Sequence, residues 1–164
     1  MSQNDTRGSS RAGSVPLAPR SGSGLRINAF SAVVMLLIEY GLGIWVNLYA
    51  QIPASDHGKG TFAAFGAAVA NGPVALALHA VLGTLLLVTA IALIARAALA
   101  RKVAASVIGA IALLAVVAAW LSGARFVGDA AGAASFGMAI ATGVALLSYV
   151  IILFVPGLTE RADR

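Results

Sequence analysis

Residues 28–50 read NAFSAVVMLLIEYGLGIWVNLYA, 23 residues in which Glu39 is the one charged side chain. At ~1.5 Å of helical rise per residue, such a stretch reaches across a ~30 Å hydrocarbon core. It predicts a membrane-spanning helix. A cleaved signal peptide is the competing reading, but its apolar region would be about 7 to 15 residues long and would not contain an acid. The whole chain points the same way. Of its 164 residues 60% are hydrophobic and 10% charged, and the mean hydropathy is +0.93, too little polar surface to coat a water-soluble globule.

Working outward, residues 73–95, 103–122 and 134–155 are three further apolar spans. Pro73 follows Asn71-Gly72 and suits a first helical turn, where its missing N–H is harmless, and Pro156-Gly157 closes the last span. The fold class expected is all-α: a polytopic, four-transmembrane-helix bundle over residues 26–157. Residues 1–25 hold six Ser, four Gly and three Arg, and predict a disordered basic tail. Residues 158–164 form a second tail, and residues 123–133 a glycine-rich loop. Between the first two spans, TFAAFGAAVA (residues 61–70) is apolar but too short to cross a bilayer. It is expected as a short interfacial helix, with Thr61 as its cap and Phe62 and Phe65 toward lipid or the bundle.

The basic residues set an orientation. Arg7, Arg11, Arg20, Arg26, Arg96, Arg101, Lys102, Arg161 and Arg164 fall on one side of this topology, and only Lys59 and Arg125 on the other. By the positive-inside rule both termini are expected in the cytoplasm, with the protein in a bacterial cytoplasmic membrane. The net charge of +5 is thus spread between spans, which excludes a soluble nucleic-acid binder. With no cysteine there is no disulfide, thiolate nucleophile, iron–sulfur cluster or covalently attached haem. The 36 Ala and 18 Gly favour close helix packing, with small-xxx-small matches at Ala105/Gly109 and Ala139/Gly143 and further small residues at Gly41 and Gly43. Those contacts could lie within one bundle, with a second copy or with other membrane subunits; the lipid bilayer is the one partner the composition requires.

Glu39 lies eleven residues from either end of its span, near the bilayer midplane, where a charge costs at least ~2.5 to 3.5 kcal/mol. No lysine or arginine lies at comparable depth. The carboxyl is therefore expected as a neutral acid, donating a hydrogen bond to Thr84, Thr142 or a backbone carbonyl, or else as a proton relay, cation site or quinone contact. Ala32, Met35, Glu39, Gly43 and Asn47 fall on one helical stripe, expected to face the bundle. His79 lies ~9 Å inside the second span, with Gly83 one turn on. It is a neutral histidine bonded to Asn47 or a loop carbonyl, an axial ligand for haem b with the ring against Gly83, or part of a transport or proton-relay path. Glu39, Asn47, His79, Thr84 and Thr142 make up a candidate buried polar cluster, although depths of ~16 Å for Glu39 and ~9 Å for His79 require tilt or a bridging water before these two meet.

Asp56 and His57, with His79, are scattered ligands that do not make a zinc or copper spacing, so no metal is predicted. Gly58-Lys59-Gly60-Thr61 lacks the remaining residues of a phosphate loop. No nucleophile–histidine–acid or nucleotide-binding pattern is present, and no catalytic residue is assigned. The function expected is a non-enzymatic structural or accessory membrane subunit. The alternatives are a haem b or quinone-linked redox subunit using His79, and a small proton-coupled transporter or channel component using Glu39.

The strings Glu39-Tyr40-Gly41-Leu42-Gly43, Val46-Asn47-Leu48, Ile52-Pro53-Ala54, Asp56-His57-Gly58, Leu78-His79-Ala80 and Phe136-Gly137-Met138-Ala139 resemble a group of small four-helix integral membrane proteins of actinobacterial type. The resemblance covers residues 28 to 152 and implies the membrane fold, with no catalytic residues to carry over. His79-xxx-Gly83 is loosely similar to b-type cytochrome bundles, from which this chain departs in lacking paired intramembrane histidines.

Overall fold

The computed structural model describes residues 21–50, 58–129 and 132–155, all of them helix or connecting turn. Five helices follow in order: α1 (Ser21–Tyr49), α2 (Thr61–Asn71), α3 (Val74–Leu99), α4 (Val103–Asp129) and α5 (Gly132–Phe154). All but α2 are long and apolar enough to span a bilayer, with mean hydropathies of 1.9 to 2.4 over their best windows. Only 17% to 28% of each window is buried inside the bundle, so most of the apolar side chains face outward. An apolar exterior suits hydrocarbon and not water. The protein is a multi-pass membrane protein.

The spans form a four-membered ring in which α1 packs on α3 and α5, and α4 packs on α3 and α5. Sequential neighbours run antiparallel across short connections. The interior is narrow because it is largely alanine: Ala29, Ala32, Ala90, Ala97, Ala105, Ala112 and Ala145 surround the larger Leu86, Leu93, Tyr149 and Ile152. Gly109 of α4 lies where a Cβ would come 2.8 Å from Leu93 Cδ2, so the Leu93 side chain of α3 fills the space this glycine leaves open. The α3–α4 turn is a Schellman arrangement, with Lys102 N–H donating to Ala97 C=O and Arg101 N–H to Ala98 C=O. Arg101 holds the left-handed position, φ 53°, that glycine usually takes there.

The short helix α2 lies across one end of the bundle against α3 and α4, burying Ala64 and Ala68 with Leu76 and Val127. Gly72 makes the tight passage from α2 to α3 possible, since a Cβ there would sit 2.5 Å from the Ala68 carbonyl oxygen.

Several boundaries differ from the sequence reading, among them residues 96–99, which continue α3, and residues 132–133, which begin α5. Residues 21–25, read as tail, belong to α1: Leu25 is 2% exposed in the core, and Arg96 donates to the Gly24 carbonyl at 3.4 Å, contacts that offset the entropy of ordering this turn. Residues 123–129, read as loop, continue α4, because Ala124 and Val127 are buried and Gly128 abuts the Lys59 carbonyl. Thr61 does not cap α2: Gly60 is the N-cap, in an extended conformation with no side-chain cap bond, and Thr61 is already helical. Asp56, His57, residues 1–20 and residues 156–164 lie outside the described residues.

Candidate functional site

Beneath α2 the bundle carries a partly open pocket of about 280 Å³, to which each of the five helices contributes. Its walls are mainly aliphatic, from residues such as Leu36, Leu76, Leu86 and Val116, and its polar groups are few. From α1 comes Glu39 and from α3 His79, meeting at 3.1 Å between Glu39 Oε1 and His79 Nδ1, with 12% and 14% of the two side chains exposed. The atoms are in reach but the ring N–H is not aligned for a hydrogen bond, and the second oxygen, Oε2, has no partner.

Depth counting along each span had separated these residues by ~7 Å. The structure removes that gap. Glu39 lies ten residues before the end of α1, and His79 five residues after the start of α3. Their contact means that α1 overhangs the start of α3 by ~7 Å, and α2 covers the shorter side of the bundle.

Two glycines admit the contact, each one turn beyond a polar partner. A Cβ at Gly43, four residues after Glu39, would come 3.3 Å from the His79 ring, and one at Gly83, four residues after His79, would come 3.0 Å from Glu39 Oε1. Each helix therefore supplies one head group and one gap, and antiparallel packing fits head to gap twice. The surface at Gly83 that the sequence offered to a flat haem ring faces the Glu39 carboxylate and Trp120. Gly83→Ala and Gly43→Ala are each expected to cost about 1–3 kcal/mol, the range for forcing extra volume into a packed site. Gly41→Ala, which meets nothing within 4 Å, should instead gain about 0.5–1 kcal/mol of helix propensity. Unfolding midpoints in mixed dodecyl sulfate micelles would rank the three variants.

The remaining cluster residues have other partners. Thr84 accepts from Trp120 Nε1 at 3.3 Å and donates to the Ala80 carbonyl at 2.9 Å. Thr142 lines the cavity and donates to the Met138 carbonyl at 2.8 Å. Neither hydroxyl bonds Glu39, because a helical threonine satisfies itself on the preceding turn of its own helix. Asn47 lines the cavity too, but its Oδ1 accepts from Ser135 at 3.2 Å and does not serve His79. Trp45 and Tyr49 are exposed at the end of α1, with ring centroids 4.9 Å apart, as interfacial anchors would be.

Comparison with family models, curated proteins and solved structures finds no match. The site therefore has to be read from its own chemistry. Trp120 is the principal residue the sequence reading did not single out. Its ring packs on Phe65 of α2 at 4.9 Å between centroids, and both line the cavity. An aromatic residue inside an apolar span gives no signal of its own, since its partners come from elements 36 and 55 residues away. Among the described residues no three His, Asp or Glu side chains gather as a metal site.

Proposed function

We propose that the chain is a small non-enzymatic accessory protein of a bacterial cytoplasmic membrane, both termini cytoplasmic, whose Glu39–His79 pair is an intramembrane proton-binding site. One observation carries this reading: a carboxyl and an imidazole in contact at 3.1 Å inside a membrane-spanning bundle. In such a place net charge is costly. A carboxyl and an imidazole holding one proton between them are neutral overall, as acid and neutral ring or as carboxylate and imidazolium. Adding a proton leaves the site at plus one, and removing it leaves minus one. The pair is thus a one-proton store whose state a partner subunit or a second copy could sense through α1 or α3.

The test is pH-difference infrared spectroscopy on the full chain in detergent. Any pH-induced change in the carboxyl bands should be accompanied by a change in the imidazole bands over the same range, as in a coupled pair. Glu39→Gln should abolish the carboxyl change and move the imidazole one. Bands that titrate independently, or not at all, would overturn the reading. So would a Soret band lost in His79→Ala, which would make His79 a haem ligand.

A further inference from the structure

We infer that the cavity beside Glu39 binds a small lipophilic organic cation, an amine or a quaternary ammonium, in exchange for the proton of the Glu39–His79 pair. This inference rests on the proton-binding reading above and adds the ligand class. Size comes first. An apolar cavity of about 150 Å³ takes up benzene, so about 280 Å³ has room for one aromatic ring with a short branched substituent.

Sign comes second. The titratable groups lining the cavity are Glu39 and Tyr40 from α1 and His79 from α3, while α2, α4 and α5 contribute none. Arg96 of α3, Arg125 of α4 and Tyr149 of α5 do not line it, and no Lys or Arg does among the described residues. The one group that carries charge whenever the proton is absent is therefore a carboxylate, and one of its oxygens, Oε2, is buried without a partner. With Glu39 the acidic group lining the pocket and no Lys or Arg beside it among the described residues, the sign of charge it favours in a ligand is positive. Phe65, Trp120 and Tyr40 are among the lining residues, and aromatic rings attract a desolvated ammonium and pack on the apolar part of an amine.

Charge balance then dictates the exchange. With one proton on the pair the cavity is neutral. A cation entering without proton loss would leave it at plus one, whereas a cation entering as the proton leaves keeps it neutral, with Glu39 as carboxylate and His79 as neutral imidazole. No bond other than that to the proton is broken. One proton is released per cation bound.

The probe is benzyltrimethylammonium, whose ring and compact head match the cavity, titrated calorimetrically into the full chain in detergent while proton release is followed in weakly buffered solution. One cation per chain and close to one proton released are expected. On the acid side of the pair's titration the apparent Kd should weaken tenfold for each pH unit lowered, a readout on the unaltered protein. Glu39→Gln, with helical content retained, should weaken binding at least a hundredfold, and neopentylbenzene, the neutral isostere, should not compete. Absence of binding, competition by neopentylbenzene, or binding unchanged in Glu39→Gln would each overturn the inference. If the infrared bands titrate together while the cation fails to bind, the ligand assignment falls and the proton site stands. If the cation binds with no proton released, the exchange falls.

Discussion

Replacing His79 with leucine is expected to destabilise the folded protein by about 1–3 kcal/mol, the cost of leaving a buried polar group without its partner, and adding Glu39→Met should return most of that loss. The asymmetry follows from burial. With 12% of its side chain exposed, Glu39 draws little on solvent, and removing its partner leaves a polar group that nothing else in the described site bonds. An apolar pair of similar volume leaves nothing unsatisfied, which is why the double change is expected to be milder than the single one. Dodecyl sulfate titrations of all four proteins, followed by circular dichroism, would give the double-mutant cycle. Losses that add independently would show that the 3.1 Å contact contributes no coupling.

Span count and helical class were legible because they follow from run length and composition, which local sequence carries in full. Residues 61–70 were also legible as a helix too short to cross. What the sequence could not carry was vertical register. Counting rise from the ends of residues 28–50 and 73–95 assumes that both spans begin in one plane, but α1 overhangs α3 and the count misplaced Glu39 against His79. Boundaries failed for a related reason. Glycines at 123 and 128 read as loop by propensity, yet α2 packs against that stretch and buries Val127, and tertiary contact overrode the local preference. The paired spacing Glu39-xxx-Gly43 and His79-xxx-Gly83 is visible in the sequence, but its meaning depends on knowing that the two helices are antiparallel neighbours level at this point.

The small-residue stripes make the same distinction testable, since two matches of equal spacing have different surroundings. At Gly109 a Cβ would meet Leu93 Cδ2 at 2.8 Å and Ile94 Cγ1 at 3.2 Å, while at Gly143 it would meet nothing within 4 Å. Gly109→Leu is therefore expected to force α3 and α4 apart at a cost of about 3 kcal/mol or more, the upper end of the overpacking range. Gly143→Leu should be neutral, or stabilising by up to about 1 kcal/mol through helix propensity. The comparison holds residue type, substitution and sequence spacing fixed while Gly109 is buried and Gly143 exposed, so a difference between the two reports their surroundings. A large loss in Gly143→Leu, with the variant still helical and now of lower mass by light scattering, would mean that the exposed face of α5 is covered by a second copy of the chain. The apolar exterior at Ala139 and Gly143 would then be an interface between bundles, and the shared small-xxx-small spacing would mark close approach at both places.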